Sequence, residues 1–251
     1  MDTFQPGPNL IMACHFTGIY DVNRSTTLPD DDFSLVQDWV DSIEVLGLQG
    51  VLFHNNFSTE TCARHQSRHV QFLEVAYHPP LNPNVFRYLV YREFLAQHAA
   101  LVQNVFVTDV GDVVVCQNPF VAPLFLEKPG TLFCGDEPKL LGDAWMLDHG
   151  AHLRSKIADY GAFEADFKDA TLLNCGVFGG NITVMQSFLA ALCTLHTTYN
   201  VDNKTAYTGD MGAFNYLVRT KYPASMWHGA PVNTVFKNYE TARRDCWFRH
   251  K

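Results

Sequence analysis

Residues 104–115 read Asn104-Val-Phe-Val-Thr-Asp109-Val-Gly-Asp112-Val-Val-Val115, and the predicted fold is built around them. The apolar residues 105–107 predict a buried strand, and two carboxylates, Asp109 and Asp112, follow at once. Burying a carboxylate costs free energy unless it is paired or bound to a metal. Because ligands of open α/β sheets bind at the carboxyl ends of the strands, the stretch predicts a divalent-metal site that holds a phosphorylated ligand. The alternative is a solvated turn, and these residues alone favour neither interpretation.

Strand-like and helix-like segments alternate along the rest of the chain. Short apolar runs predict strands, whereas apolar residues spaced three or four apart predict helices. The predicted strands are 9–14, 50–54, 70–75, 105–107, 131–134 and 172–178, and the predicted helices are 33–46, 84–100, 184–195 and a segment that begins near 210. Helices that connect consecutive strands favour parallel pairing. The sequence therefore predicts an α/β protein with a mixed, mostly parallel central sheet flanked by helices.

Two loops can be interpreted in more than one way. Residues 15–21 follow the first strand, where α/β proteins commonly bind a ligand, but a plain connection is the favoured interpretation. Gly179 and Gly180 predict a tight turn after the strand that begins at residue 172. Glycines at such a turn either close it or allow the backbone to approach a ligand, and both interpretations remain open.

Composition restricts the class of protein. The 251 residues predict one domain, and 47% hydrophobic with 18% charged residues excludes a disordered chain. A net charge of −8 argues against a nucleic-acid partner. The seven cysteines form no CxxC pair, which predicts a reducing compartment. With no secretory leader and no long apolar run, the expected location is the cytoplasm, without a membrane span.

Further chemical landmarks appear in a fixed order around the acidic stretch. A predicted helix carries Arg92 seventeen residues before Asp109, where it is predicted to face the central strand, with Arg87 as the alternative basic residue. Later in the chain come Asn174-Cys-Gly176-Val-Phe-Gly179-Gly180, then Asp210-x-x-Ala-x-Asn215, and last His250-Lys251.

This order resembles the GT-A glycosyltransferases over residues 9–251. The DxxD spacing with a late histidine is similar to glycosyltransferase domains of the lysyl-hydroxylase type, and to small glycosyltransferases of large DNA viruses and bacterial surface-glycan clusters. The resemblance implies a Rossmann-like GT-A domain over 1–251, with a nucleotide-binding half at about 1–120 and an acceptor-binding half at about 121–251. It also implies sugar transfer from a nucleoside-diphosphate sugar, most often a UDP-sugar, to a glycan or glycoprotein acceptor. The chain departs from the family pattern in its DxxD spacing and in Met211, where glutamine is common.

The resemblance also assigns roles to individual residues. The implied ligands of Mn²⁺ or Mg²⁺ are Asp109, Asp112 and His250, and an imidazole ligand favours Mn²⁺. The implied donor-binding residues are Arg92, Asp109, Asn174, Gly176, Gly179, Gly180 and Lys251. The implied catalytic groups are Asp210 and Glu137, with Asp136 and Asp143 as rival bases and Trp145 as a surface for stacking on a sugar.

Each assignment has a structural alternative. Asp210 is also suited to cap a helix, Arg92 to lie on a solvated helix face, and His250-Lys251 to be a solvated terminus. Two other functions compete with sugar transfer. One is a sugar nucleotidyltransferase or metal phosphoesterase, although the chain lacks a GxGxR-type signature near its N-terminus. The other is a nucleotide-sugar-binding domain without catalysis.

Overall fold

The computed structural model describes residues 4–21, 26–77, 81–201, 203, 209–233 and 242–250. The strands in these ranges are β1 (Asn9–His15), β2 (Tyr20–Asp21), β3 (Thr26–Thr27), β4 (Gly50–His54), β5 (Val70–Glu74), β6 (Asn104–Thr108), β7 (Val113–Val115), β8 (Leu132–Leu140), β9 (Thr171–Asn181), β10 (Met226–His228) and β11 (Phe248–His250). The α-helices are α1 (Gln37–Val45), α2 (Thr59–His65), α3 (Pro83–Gln97), α4 (Pro123–Glu127), α5 (Ala144–Lys156), α6 (Tyr160–Asp166), α7 (Ile182–Tyr199) and α8 (Asp210–Lys221).

Seven strands form the central sheet in the order β10-β8-β9-β6-β1-β4-β5. Strand β9 runs antiparallel to both of its neighbours, and every other neighbouring pair is parallel. Helix α1 connects β1 to β4, and α3 connects β5 to β6, as parallel pairing requires. The predicted mixed, mostly parallel sheet flanked by helices is therefore confirmed.

Alternate residues of the central strands face two apolar clusters. On one face, Leu10 and Met12 of β1 pack with side chains of α3, α5, α7 and α8. On the other face, Ile11 and Ala13 pack with α1 and with the segment that carries Phe248. This alternation follows from the two-residue period of a strand, and it explains why β1 is apolar almost throughout.

The glycines of β9 lie inside the strand, so the predicted turn at Gly179 and Gly180 is wrong. A Cβ at Gly179 would fall 2.4 Å from the ring of Phe106, and one at Gly180 would fall 2.7 Å from the carbonyl oxygen of Thr131. Glycine is needed here because neighbouring groups fill the space that a side chain would take. The strand instead ends at Asn181, whose side chain accepts a hydrogen bond from the Val184 amide and caps α7.

A small second sheet brings the last described strand back to the middle of the chain. Strand β11 pairs antiparallel with β7, with Phe248 opposite Val115 and His250 opposite Val113. Since β7 directly follows Asp112, this pairing brings His250 beside the acidic stretch. Among the described helices, none has the length and apolar character that crossing a bilayer requires.

Candidate metal centre

Three side chains converge just past the carboxyl end of β6. Asp109 follows β6, and its amide donates a 2.7 Å hydrogen bond to the Gly176 carbonyl of β9. His250 Nε2 lies 3.5 Å from Asp112 Oδ2 and 3.7 Å from Asp109 Oδ2. One ligand atom from each of the three residues lies within 4.8 Å of the other two. Neighbouring ligands of an octahedral Mg²⁺-type ion are about 3 Å apart and opposite ones about 4 Å, so this group can hold one divalent cation.

The environment of His250 suits a site that carries negative charge. Its side chain is only 3% exposed, and burial by itself disfavours protonation. The hydrogen bond to Asp112, with the charges of Asp109 and Glu137, outweighs burial and raises the pKa of His250. The raised pKa means that the surrounding carboxylates favour the protonated form of His250, and a metal ion would compete with that proton for Nε2.

Gly176 makes this convergence possible. A Cβ at position 176 would lie 2.3 Å from Asp109 Oδ2 and 2.6 Å from His250 Cε1. Any larger residue would push the carboxylate and the imidazole out of their positions. Gly176 therefore makes room for two of the potential ligands, whereas at Gly179 and Gly180 other protein atoms take the space.

A buried arginine holds Asp109 in place. Arg87 of α3 donates through Nη1 to Asp109 Oδ1, and its Nη2 lies 3.7 Å from Asp210 Oδ2. Burial is the largest influence and disfavours the charge of Arg87, but Asp109 together with Tyr88, Cys175 and Tyr91 outweighs it and raises the pKa of Arg87. The prediction that Arg92 faces the central strand is wrong, because Arg92 is exposed. The alternative residue, Arg87, makes the contact.

The spacing of the apolar residues in α3 explains this correction. At about 100° per residue, Arg87 lies about 70° from the middle of the face formed by the apolar residues of the predicted helix, and Arg92 lies about 150° from it. The spacing of the apolar residues in the sequence therefore favours Arg87 as the residue that faces the sheet. The distance of Arg92 along the chain from Asp109 does not fix the direction of its side chain around the helix axis.

The candidate centre opens into a cavity of about 350 Å³. Asn174 and Gly176 of β9, Glu137 of β8 and Asp210 of α8 line it together with the three potential ligands. The loop after β1 also lines it, through His15, Phe16, Ile19 and Tyr20. The loop reaches the cavity because the parallel arrangement of β1 and β6 places both strand ends at the same edge of the sheet.

Glu137 and Asn174 form a pair on the cavity wall. The Asn174 side chain donates to Glu137 through Nδ2 and accepts from the Gly176 amide through Oδ1. Burial is the main cause that raises the pKa of Glu137, and the hydrogen bond from Asn174 only partly opposes it. A carboxyl group in a cavity with a raised pKa is a candidate for proton transfer.

The other predicted acidic residues differ in their contacts. Asp210 is the first residue of α8 and is 7% exposed, close to Arg87 and within 3.5 Å of the Cys175 thiol. Asp136 is instead hydrogen-bonded to His228 at 2.8 Å. Asp143 accepts from the Leu140 amide before α5 begins. Glu137 and Asp210 are therefore the two acidic residues of this set that reach the cavity.

Trp145 and Lys251 are the remaining predicted site residues. Trp145 lines the cavity and is 38% exposed, with the Lys139 ammonium 3.9 Å from its ring centre. This exposure is compatible with stacking on a ligand and excludes a fully buried core position. Lys251 lies outside the described residues.

Together, the fold and the site define an α/β protein with a candidate cation centre of two carboxylates and one imidazole at the carboxyl ends of parallel strands. Comparison with models of known protein families finds no match to this chain, and a search among curated proteins also finds none. The argument for function therefore depends on the geometry of the site and on the sequence landmarks.

Proposed function

We propose that this protein is a metal-dependent glycosyltransferase that moves a sugar from a nucleoside-diphosphate sugar to a glycan or glycoprotein acceptor. The observation that carries the proposal is the convergence of Asp109, Asp112 and His250 at the mouth of a cavity. The ordered landmarks that resemble GT-A glycosyltransferases support it. So does the mostly parallel sheet, whose strand ends form one wall of the cavity.

The three ligands fit Mn²⁺ or Mg²⁺. Carboxylate oxygens suit both ions, and the imidazole nitrogen of His250 favours Mn²⁺. Three protein ligands leave coordination positions for the oxygens of a donor diphosphate, and we take a UDP-sugar as the first candidate donor. When bound, such an ion neutralises the charge that develops on the departing nucleoside diphosphate.

Other residues of the cavity are candidates to position the metal ligands, to accept a proton and to contact the sugar. Arg87 holds Asp109 with one carboxylate oxygen towards the guanidinium and the other towards His250. Glu137, whose pKa is raised by burial, is our first candidate to accept the proton of the acceptor hydroxyl. Asp210 is the second candidate for that role and is positioned to bind a sugar hydroxyl. Trp145 supplies an aromatic surface at the cavity wall.

The test is a thermal-shift screen of UDP-, GDP- and dTDP-sugars with and without Mn²⁺, followed by an assay for released nucleoside diphosphate. A ligand at about 100 times its dissociation constant stabilises the folded state by about 2.7 kcal/mol, and for a chain of this size the expected rise in Tm is roughly 5–10 °C. We expect this rise for one donor and only with Mn²⁺. Asp112→Asn should abolish it, and Asp41→Asn, an exposed carboxylate of α1, should leave it unchanged.

Other results would replace the proposal. A Tm that does not respond to Mn²⁺ would argue against the metal centre. Pyrophosphate release would identify a nucleotidyltransferase, and cleavage of a simple phosphate ester would identify a phosphoesterase. Donor binding without turnover across several acceptors would identify a binding domain.

A further inference from the structure

Two cysteines lie at the same end of the small sheet, where β7 ends and β11 begins. Cys116 directly follows β7, and Cys246 lies two residues before β11. The Cys116 amide donates a 2.7 Å hydrogen bond to the Trp247 carbonyl, which extends the β7–β11 pairing by one step. This bond places residue 116 beside the segment 246–247, and the Cys116 thiol donates to the Arg243 carbonyl, 3.7 Å away in the same segment. Both are free thiols in this structure.

The surroundings distinguish Cys116 from the other thiols. Cys116 is half-buried and lines a cleft of about 300 Å³. Two basic residues, Arg244 and Arg249, and two acidic residues of α1, Asp38 and Asp41, line the same cleft. The hydrogen bond from Cys246 lowers the pKa of Cys116 most, burial opposes it, and Arg244 and Arg249 add to the lowering, which brings the pKa to about 6.

The remaining half-buried thiols provide a contrast. Burial raises the pKa of Cys62 and raises that of Cys14 to about 12. Since the thiolate is the nucleophile, Cys116 is the thiol of these three that is reactive at neutral pH. A reactive thiol with a second cysteine on the neighbouring segment is the arrangement that a reversible disulfide needs.

We propose that Cys116 and Cys246 form a reversible disulfide that fastens β11, and with it His250, to β7. The oxidant is a small disulfide of the glutathione type. The Cys116 thiolate attacks one sulfur of that disulfide, forms a mixed disulfide and releases one small thiol. The Cys246 thiol then loses its proton and attacks the Cys116 sulfur, which releases the second small thiol. The protein gives up two electrons and two protons, and the small disulfide becomes two thiols.

The consequence concerns the element that carries His250. In the described residues, β11 is held by backbone pairing to β7, by the bridge between Phe248 and Asn233, and by its apolar contacts. A covalent link between residues 116 and 246 prevents β11 from separating from β7. Disulfides in a reducing compartment are typically transient and regulatory, which agrees with a reversible bond. This inference does not depend on sugar transfer, because it concerns the thiol chemistry of the folded chain.

The first test is oxidation of the whole purified chain with oxidised glutathione, followed by mass spectrometry. We expect the intact mass to fall by two hydrogens, a proteolytic peptide that joins residues 116 and 246, and full reversal by dithiothreitol. Cys116→Ser should abolish the link, Cys246→Ser should stop at glutathione attached to Cys116, and the control Cys62→Ser should form the link normally. A bond between any other pair, or glutathione that persists on Cys116 when Cys246 is present, would overturn the proposal.

The rate of thiol alkylation and the rate of backbone hydrogen exchange test the proposal in the wild-type chain, where no substitution can disturb folding. At neutral pH, iodoacetamide should modify Cys116 about tenfold or more faster than Cys62 in the reduced wild-type chain. Backbone hydrogen exchange in residues 248–250 should slow by about tenfold or more after oxidation, because opening of β11 is suppressed. Equal alkylation rates would refute the activated thiol, and unchanged exchange would refute the fastening of β11.

Discussion

A single buried guanidinium allows two carboxylates to lie near the cavity. Arg87 contacts Asp109 directly and is 3.7 Å from Asp210, while its own side chain is 9% exposed. This cation offsets part of the cost of placing the two carboxylates away from water. The contact with Arg87 through Oδ1 explains the orientation of Asp109 Oδ2 towards His250.

Arg87→Met should lower the free energy of unfolding by about 2–3 kcal/mol, below the usual cost of breaking a buried pair because Asp109 is partly exposed. Urea denaturation measures this change. Arg92→Met, on the same helix but exposed, should change the stability by less than about 0.5 kcal/mol. Equal losses for the two variants would mean that the ion pair with Asp109 does not stabilise the fold.

Strand β9 shows how one element serves two purposes. Gly179 and Gly180 allow β9 to pack against Phe106 and the Thr131 carbonyl, whereas Gly176 makes room for Asp109 and His250. The contacts of Gly179 and Gly180 hold the sheet together, whereas the space at Gly176 serves the candidate metal centre. A change at Gly176 should therefore affect cation binding more than it affects the fold.

Gly176→Ala should weaken Mn²⁺ binding by about tenfold or more, because the added methyl group displaces the Asp109 carboxylate and the His250 imidazole. Isothermal titration calorimetry on the folded variant measures the affinity. Gly130→Ala is the matched control, since a Cβ at position 130 meets nothing within 4 Å. Wild-type affinity in the Gly176 variant would show that these two side chains do not bind the ion together.

At the scale of the whole molecule, a buried histidine makes the stability of the fold sensitive to acid. His196 of α7 is 1% exposed, and its ring stacks on Tyr88 with the ring centres 5.6 Å apart. Burial lowers the pKa of His196 to about 4, although the charge of Asp210 opposes this shift. This histidine lies where α3 and α7 pack together beneath the sheet, so its protonation affects the main core.

The sign of the pH dependence follows from the lowered pKa of His196. Between about pH 4 and pH 6.5 the unfolded chain binds a proton at this residue and the folded chain does not. The contribution of His196 is therefore complete above pH 6.5 and is lost as the pH falls towards 4, by roughly 3 kcal/mol. Urea unfolding across this range should show a shallower pH dependence for His196→Leu than for wild type. Parallel curves would contradict the assignment.

Local periodicity was sufficient to predict most of the longer elements and the position of the two carboxylates of the candidate centre. The apolar run before Asp109 predicted β6, and the spacing of apolar residues predicted the helix that became α3 (Pro83–Gln97). These predictions succeed because side-chain direction within one element repeats every two residues in a strand and every 3.6 in a helix. The pairing of His250 with the acidic stretch came from the resemblance to a family, since it joins residues far apart in the chain.

Packing between distant elements determined the rest. The position of β9 between β6 and β8 made its glycines part of a strand, where local sequence indicated a turn. The parallel alignment of β1 with β6 brought residues 15–20 to the cavity, and the rotation of α3 against the sheet selected Arg87 instead of Arg92. Sequence spacing specifies the direction of a side chain within its own element, but the groups that the side chain meets depend on where the other elements lie.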